Sequence, residues 1–247
     1  MHPLNTFVLN DQRFATVRCR RDGMMWLDPQ PTEEFYHRLY GEHYHAAPPD
    51  DPLYEQGTLD LHSDEESLQR AASLRLDEIE QFMAADSFME VGFGSGHTLR
   101  EARWRGWDVL GVELAQTCVD AVRAQGIPAI RAELPSYSGP DEAFGVIGMY
   151  SVIEHTHHPE AYIRRAHALL KRHGLLVLRL PDTPPEGPPA SLLAHLYHFN
   201  SATIIALLRR SQFEVLQVGS FGCWKPARYS GELWSMNVIS RKALDDS

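Results

Sequence analysis

The alternation of short apolar runs with helix-length amphipathic stretches is the feature that most constrains the fold of this chain. From residue 64 to residue 181, strand-length runs alternate with stretches whose apolar residues recur at helical spacing. The runs are SFMEVG, WDVLGVEL, IPAIRA, AFGVIGMYSVIEH and LLVLRLP, and the helical stretches are SDEESLQRAASLRLDEIEQFMA, HTLREARWRG, AQTCVDAVRAQG and PEAYIRRAHALLKRHG. Strands that are apolar along their length are typical of a parallel sheet covered on both faces. The sequence therefore predicts an α/β fold with a doubly wound, mostly parallel sheet.

The regions on either side of this alternation follow other patterns. Residues 1–62 are irregular and rich in aromatic side chains, and we interpret them as an extension that forms either a small satellite core or a lid over a ligand. Residues 63–247 form the predicted main domain, with Ser63 or Asp64 as the cap of its first helix. The chain then predicts a stiff proline loop (PDTPPEGPPA), a short helical stretch (SLLAHLYHF), a helix (NSATIIALLRRS) and two strands whose order allows a hairpin at one sheet edge.

Charge and cysteine content narrow the classes of partner. The 247 residues include 23 Lys and Arg against 33 Asp and Glu, a net charge of −10, and basic residues never cluster beyond adjacent pairs. A phosphate-binding surface needs clustered cations, so we expect no nucleic-acid partner. No run has the length of a membrane span and the first residues show no secretory signal, so we expect no membrane association. Cys19, Cys118 and Cys223 are odd in number and widely spaced, which favours a reducing, cytoplasmic location.

The strongest chemical signal is the glycine-rich turn in FMEVGFGSG, after the first apolar run. Gly92, Gly94 and Gly96 alternate there, and glycine lets the backbone adopt a positive φ and a ligand approach closely. A dinucleotide fingerprint needs G-x-G-x-x-G, whereas His97 takes the place of its last glycine, and a P-loop needs a Gly-Lys pair that this turn lacks. The spacing argues against nicotinamide oxidoreductases and P-loop enzymes.

Two carboxylates accompany this turn. Glu90 lies inside the end of the first strand, where a buried carboxylate needs hydrogen-bond donors or a cation. Glu113 ends the second run, 21 residues after Gly92. An acid at this position can accept hydrogen bonds from the hydroxyls of a ribose. The pair predicts a site for a ribose-containing ligand at the carboxyl edge of the sheet.

Four motifs resemble, in order and spacing, those of the class I S-adenosylmethionine-dependent methyltransferases. They are EVGFGSG, VLGVEL, FGVIGMYSVIEH and LLKRHGLLVLRLP, and HLYHFNSATIIALLRRSQFEVLQVGSF is similar to the helix and strand that close that fold. The resemblance covers roughly residues 70–180. It implies a seven-stranded, Rossmann-like methyltransferase fold and an enzyme that uses S-adenosyl-L-methionine and releases S-adenosyl-L-homocysteine.

The resemblance also implies which residues bind the cofactor. The set is Glu90, Gly92, Phe93, Gly94, Gly96, Glu113, Leu114, Ala132, Glu133, Met149, Tyr150 and Ser151. In the family, the glycines line the methionine part, the first acid lies near the ammonium group, and the second acid holds the ribose hydroxyls. Leu114, Ala132 and Glu133 would contact the adenine. The three residues that end the fourth strand would border the methyl group.

The histidine-rich segment EHTHHPE, after the fourth run, raises the question of a metal. It resembles the E-x-x-E-H pattern of quinone-biosynthesis and small-RNA methyltransferases that use a metal, but Ser151 replaces the first glutamate. We therefore expect no metal. Glu154 is interpreted as a residue that organises the turn into the next helix.

A hydroxyl acceptor would require a base that takes its proton as the methyl group moves. His155 is the leading candidate, because it follows the strand end that borders the methyl group and an imidazole titrates near neutrality. His198 is the second candidate, and Tyr44 is a candidate for orienting the acceptor. Packing or capping roles for all three are the alternative.

The N-terminal segment VRCRRDGMMWLDPQPTEEFYHRLYGEHY is similar to the zinc-ribbon-like lead-in of some methyltransferases, including sugar C-methyltransferases. Cys19 is present, but Asp22 replaces the second cysteine before Gly23, and a second C-x-x-C pair is absent. Because a structural zinc site needs four ligands, the sequence predicts a degenerate ribbon without zinc.

Together these observations predict an enzyme that methylates a small-molecule acceptor, by O-methylation in natural-product, sugar or quinone-like metabolism. One alternative is a catalytically inactive scaffold that binds the cofactor. The other is a methyltransferase that acts on a carbon or nitrogen acceptor or on RNA. The oligomeric state is not indicated.

Overall fold

The structure, a computed structural model, describes residues 3–9, 12–43, 64–183, 195–224 and 233–243. Ser63 and Tyr44, for which the sequence predicted roles, and most of the predicted proline loop lie outside these residues.

Seven strands form the main sheet. They are β4 (Ser87–Val91), β5 (Asp108–Glu113), β6 (Ala129–Arg131), β7 (Phe144–Tyr150), β8 (Leu170–Pro181), β10 (Phe213–Trp224) and β11 (Leu233–Lys242). Their order is β10-β11-β8-β7-β4-β5-β6. The pairs among β4 to β8 are parallel, whereas β11 runs antiparallel to both β8 and β10. The predicted mostly parallel, seven-stranded sheet is confirmed, and so is the hairpin at its edge.

Helices cover both faces of this sheet. They are α2 (Glu65–Ile79), α3 (His97–Trp104), α4 (Gln116–Ala124), α5 (Pro159–Leu169) and α6 (Ser201–Arg210), whereas α1 (Glu33–Arg38) belongs to the N-terminal extension. One buried cluster packs α2, α3 and α4 against one face, and a second packs α5 and α6 against the other. The cap of α2 is Asp64, whose carboxylate accepts the backbone N–H of Ser67 at 2.7 Å.

Helix α5 ends earlier than the periodicity predicts. The helical pattern runs to Gly174, but the backbone becomes extended at Leu170, which pairs with Phe144 of β7. Leu170 is fully buried. The extended backbone places it in the core between strands, and this tertiary contact overrides the local helical pattern.

A second, four-stranded sheet occupies the N-terminal extension, which the sequence predicted to be irregular. It contains β1 (Pro3–Leu9), β2 (Gln12–Arg18), β3 (Met25–Asp28) and β9 (Tyr197–His198), in that order. The strand β9 corrects the helix predicted for SLLAHLYHF, as far as the described residues reach. Its residues pair with β3, and this pairing with a distant segment decides the local conformation.

This small sheet is tied to the main domain. The Leu27 N–H donates to the Leu196 carbonyl at 3.0 Å, and the Leu196 N–H donates to the Glu154 carbonyl at 2.8 Å. The extension is thereby held over the carboxyl edge of the large sheet. Within the described ranges, no helix is both long enough and apolar enough to cross a bilayer.

Candidate active site

A cavity of about 890 Å³ lies at the carboxyl ends of β4, β5, β7 and β8. The glycine turn, the inner face of α2, the segment after β7 and α1 of the extension contribute to its wall. Ligands of open parallel sheets bind at this edge, and the volume suits a cofactor or small-molecule site. We take this cavity as the candidate active site.

The glycine turn brings bare backbone to the cavity. The Gly92 N–H donates to the Val112 carbonyl at 2.8 Å, which anchors the turn beside β5. Gly92 has a φ of 68°, and a Cβ there would lie 2.7 Å from the Val152 side chain. Gly94 has a φ of 51°. Gly92 therefore requires glycine, the positive φ of Gly94 favours it, and both positions leave backbone open to the cavity.

Glu113 ties the glycine turn to the end of β5. Its Oε2 accepts the Gly94 N–H at 3.0 Å, and its Oε1 accepts the N–H groups of Leu114 and Ala115 at 2.7 and 3.1 Å. A carboxylate offers about four acceptor positions. Three are used by the backbone, so Glu113 both holds the turn and keeps capacity for a ligand hydroxyl.

Beside the turn, Arg75, Glu90 and Tyr150 form a charged pocket. Arg75 extends from α2, donates to the Thr98 hydroxyl at 2.8 Å and lies 4.1 Å from the centre of the Tyr150 ring. The Arg75 Nε, Glu90 Oε2 and Tyr150 hydroxyl are buried without a hydrogen-bond partner among the described residues. Unpaired buried groups cost free energy. A donor and a carboxylate side by side complement a ligand that carries both a carboxylate and an ammonium group.

Glu90 is poised between its two protonation states. Burial raises the pKa of its carboxyl to about 7, although the Arg75 charge and a hydrogen bond from Thr98 act in the opposite direction. The carboxylate of Glu113 adds to the increase. A cation bound beside Glu90 would favour its anionic form.

The opposite wall consists of Leu114, Ala132 and Glu133. Glu133 accepts a hydrogen bond from the Tyr162 hydroxyl at 3.3 Å, and its Oε1 also lies 3.3 Å from the His37 Nε2. Because His37 belongs to α1, the extension closes this side of the cavity.

Two residues of the histidine-rich segment contact the N-terminal extension. The His157 Nε2 lies 2.6 Å from the Pro31 carbonyl oxygen, and its ring packs edge-on against Tyr36. His158 pairs with Glu33 at 2.8 Å on the surface, and this hydrogen bond lowers the pKa of Glu33. The His157 contacts hold α1 over the cavity, whereas the exposed His158–Glu33 pair contributes little.

A cluster of imidazoles lies beneath the docked extension. The His155 and His195 rings are 4.7 Å apart between centres, and the His195 and His198 rings are 5.7 Å apart. Burial lowers the pKa of His198 to about 4 and that of His195 well below its usual range, so both rings are neutral. The Tyr40 hydroxyl oxygen lies 2.7 Å from the His155 Nδ1.

Glu154, His155 and His195 are the residues that could hold a metal ion. Their ligand atoms all lie within 4.8 Å of one another, and the described part of the chain contains no other such group of three. Three donors are one fewer than a structural zinc site uses and equal to the number in a catalytic zinc site, whose fourth position holds water. We assign no metal to this set, and its absence stays a prediction.

Most of the predicted cofactor residues line the cavity. They are Glu90, Gly92, Phe93, Gly94, Glu113, Leu114, Ala132, Glu133, Tyr150 and Ser151. Met149 instead points into the core, because side chains alternate along β7 and Tyr150 takes the other face. Gly96 caps α3 with a φ of 75°, and a Cβ there would meet Val122 rather than the cavity.

The predicted catalytic residues are distributed differently. His155 lines the cavity. His198 is buried behind His195 and does not contribute to the wall. Tyr44 lies outside the described residues.

Among the lining residues that the sequence did not predict, Arg75, His195 and Tyr40 carry polar groups that matter for the chemistry of the site. Arg75 could have been found, because a cation on the apolar face of an amphipathic helix needs a partner. His195 lies three residues before the predicted His198, but nothing in the sequence singled it out. Tyr40 is one of many aromatic residues in the extension, and only the docking of α1 distinguishes it.

Comparison with known proteins places these features in context. A family model described as a methyltransferase domain matches residues 62–218. No curated protein sequence matches the chain.

Solved structures share the fold over 71% to 96% of this chain. The 1,6-didemethyltoxoflavin N1-methyltransferase of Burkholderia thailandensis, with bound 1,6-didemethyltoxoflavin and S-adenosylhomocysteine, is 17% identical with a TM-score of 0.64, over 96% of this chain and 98% of that chain. An S-adenosylmethionine-dependent methyltransferase of Archaeoglobus fulgidus is 14% identical with a TM-score of 0.59, over 71% and 95%. The [4+2]-cyclase SpnF is 18% identical with a TM-score of 0.61, over 83% and 86%.

Proposed function

The chain belongs to the methyltransferase domain family, whose model matches residues 62–218, and we propose that it methylates a hydroxyl group of a small-molecule acceptor. The enzyme class and the cofactor, S-adenosylmethionine, follow from the family. The acceptor class, the residue roles and the division of the chain at residues 62 and 63 are the proposal.

Two unsatisfied groups beside the glycine turn, the Arg75 Nε and the Glu90 Oε2, support the placement of the cofactor. The cofactor bears an ammonium, a carboxylate and a sulfonium, and it has no phosphate. Glu90 would accept from the ammonium group, and the free Nε of Arg75 would donate to the carboxylate. Glu113 would accept from the ribose, and Leu114 with Ala132 would flank the adenine. The glycine turn leaves room for the chain that joins them.

When bound, the cofactor supplies an electrophilic methyl group. The residues of this chain then have to orient the acceptor, exclude water and remove its proton. His155 is the proposed base, since it lies in the cavity wall at the end of β7, beside Ser151. His198 and Tyr44 stay proposals as a second base and an orienting residue. The docked extension would exclude water from this end.

Three features support a small-molecule acceptor. The cavity is closed on one side by α1, its wall includes Tyr36 and Tyr40, and the net charge of −10 disfavours a nucleic acid. A cytoplasmic location is proposed because the three cysteines are odd in number and widely spaced. A nitrogen acceptor is the second candidate, because the Burkholderia enzyme that matches 96% of this chain is an N-methyltransferase.

We also propose that the turn before β3 is a degenerate ribbon without zinc. The Cys19 N–H donates to the Met24 carbonyl at 2.8 Å, and the Asp22 carboxylate accepts the Met24 N–H at 3.0 Å. A hydrogen bond from Cys19 is the main reason that the pKa of Asp22 is lowered. Asp22 thus takes the place of a second thiolate in this tight turn.

The test is methyl transfer from labelled S-adenosylmethionine to a panel of phenols, sugars and quinols, with the methylated atom identified by mass spectrometry. His155→Ala should lower kcat roughly 10²–10⁴-fold and leave cofactor affinity intact. His158→Ala, in the same segment but at the surface, is the matched control and should keep kcat within about threefold. Methylation at nitrogen or carbon would overturn the hydroxyl assignment. Cofactor binding without turnover on any acceptor would favour a scaffold.

A further inference from the structure

We propose that Tyr40 of the N-terminal extension is a catalytic residue, which passes the proton of the acceptor hydroxyl to His155. The inference rests on the proposed function and deepens it. Tyr40 lies outside residues 62–218, the range matched by the family model. It belongs to the N-terminal extension and not to the matched methyltransferase domain.

The first step concerns which nitrogen of His155 is basic. The Glu154 Oε1 lies 3.9 Å from the His155 Nε2, and the Glu154 side chain is 1% exposed. A buried carboxylate favours a proton on the nitrogen that faces it. In the proposed arrangement, neutral His155 carries its proton on the Nε2 that faces Glu154, and its lone pair is on Nδ1.

The second step concerns what meets that lone pair. The Tyr40 hydroxyl oxygen is 2.7 Å from Nδ1, so the hydroxyl donates its hydrogen bond to the ring. The Tyr40 and His155 rings also pack edge to face, with centres 5.2 Å apart. The basic nitrogen of His155 is thus covered by a phenol, and a proton from the cavity reaches it through the phenol oxygen.

The neighbouring imidazoles do not offer a competing base. His195 is partly exposed in the cavity wall and His198 is buried; the pKa of His195 is lowered, and burial places the pKa of His198 at about 4. Both are weak bases at neutral pH. His155 is the ring that combines a wall position, a facing carboxylate and a hydroxyl partner.

The extension holds Tyr40 in this place. Pro31 and Tyr36 contact His157, and His37 contacts Glu133, so α1 is fixed at both ends of the segment that precedes Tyr40. The residues Leu39–His43 continue from α1 along the cavity. Loss of the extension would remove the proton path and the His37 contact with Glu133.

The proposed methyl transfer conserves atoms and charge. The acceptor oxygen bonds to the methyl carbon, the carbon–sulfur bond breaks, and its electron pair stays on sulfur, which becomes a neutral thioether. The acceptor O–H bond breaks and its proton joins the Tyr40 oxygen, while the proton of Tyr40 moves to the His155 Nδ1. The product is a methyl ether and an imidazolium that faces Glu154. The imidazolium then returns its proton to water.

The experiment is nitrogen-15 NMR of the ring nitrogens of His155, in EDTA-treated full-length protein saturated with S-adenosylhomocysteine. The signals are assigned by their loss in His155→Asn. We expect wild-type protein to show a protonated Nε2 and a hydrogen-bonded, unprotonated Nδ1. Tyr40→Phe keeps the ring and removes the donor to neutral His155, so it should raise the measured pKa of His155 by about 0.5–1.

Tyr36→Phe is the matched control, because it removes a hydroxyl from the same extension while the Tyr40 hydroxyl keeps its contact with His155. It should leave the tautomer and the measured pKa of His155 unchanged. A proton on Nδ1 in wild type, or an unchanged titration in Tyr40→Phe, would overturn the proposal. Failure of the wild-type protein to bind S-adenosylhomocysteine in calorimetry would instead overturn the proposed function.

Discussion

The two ends of the cavity are built in different ways. At the cofactor end, the contacts join residues close in sequence: Gly94 and Glu113 are 19 residues apart, and Arg75 and Thr98 are 23 apart. At the acceptor end, Tyr40 and His155 are 115 residues apart, and Pro31 and His157 are 126 apart. The first set follows from one strand–turn–helix unit and its neighbours. The second exists only after the extension has docked.

This difference shows which contacts of a site a sequence motif can predict. A motif reports contacts that its own turns and strand ends enforce, so the glycine turn and its acid were readable. The acceptor end depends on two remote segments that meet through histidines, tyrosines and backbone carbonyls. Changes at one end should therefore leave the other largely intact, and the following predictions test that independence.

Gly94→Val should have the largest effect and abolish cofactor binding. Valine is strained at a φ of 51°, and its side chain would fill the approach to the bare backbone. We expect affinity for S-adenosylhomocysteine in calorimetry to fall by more than roughly 100-fold. Gly106→Val is the control, because Gly106 has a φ of 91° with open space around it. It should lower the melting temperature and keep the affinity; equal binding by both variants would refute the cofactor site.

Glu113→Ala should weaken cofactor binding by about 1–3 kcal/mol, or roughly 5–150-fold, since the ribose loses a charged acceptor and the turn loses its anchor. The Gly94 amide should also exchange hydrogen faster. Glu101→Ala is the matched control, because Glu101 and Glu113 are both 7% exposed but Glu101 binds Arg105 away from the cavity. Similar losses of affinity in the two variants would show that general destabilisation, rather than contact, is responsible.

Cofactor affinity should depend on pH through Glu90. The folded, ligand-free protein has a raised pKa of about 7 at this carboxyl, and the ammonium group binds the anion. Affinity should thus rise with pH up to about 7 and then level off. Below that it should fall by up to about tenfold per pH unit, with proton release on binding.

The matched variant for this measurement is Glu90→Gln, which should remove the dependence between pH 5.5 and about 7. The stability of the ligand-free protein should change in the opposite direction. The folded state holds this proton more tightly than the unfolded chain does. The free energy of unfolding therefore declines as pH rises from the unfolded pKa towards 7. Calorimetry in buffers of different ionisation enthalpy checks the proton release.

His157→Ala should have the smallest effect, and only at the acceptor end. Its ring nitrogen contacts the Pro31 carbonyl oxygen at 2.6 Å, so the docked extension should lose about 1 kcal/mol. Hydrogen exchange in β3 (Met25–Asp28) should accelerate, whereas cofactor affinity should stay within about twofold. His158→Ala, which removes only a surface pair, should leave exchange in β3 unchanged. A cofactor defect in His157→Ala would break the independence of the two ends.

Most of the fold was predictable because it rests on local signals. The apolar runs, the helix caps and the edge hairpin each depend on residues that are close together in the sequence. The large sheet follows from the alternation of apolar runs and helical stretches. The two local misses have one cause. At Leu170 and at Tyr197–His198, a strand partner from elsewhere in the chain overrides the local helical pattern.

The site divides along the same line. Ten of the predicted cofactor residues line the cavity, whereas the Met149 side chain packs into the core, because the side-chain alternation along β7 depends on which face each core cluster covers. Arg75 carried a readable signal in the periodicity of α2. Tyr40 and His195 carried none, because their roles depend on rings that come from three separate segments.

The sequence by itself determined the parallel sheet, the glycine turn and the acids beside it, because backbone geometry and strand ends place these groups wherever such a unit folds. Only the tertiary structure decided that Pro31, Tyr36 and His37 hold the extension on the main domain, and so that Tyr40 rather than another tyrosine covers His155. The physical reason is the cost of closing a loop of more than a hundred residues. No single contact offsets that cost, so the pairing arises from the sum of the docking contacts and is not visible in any one motif.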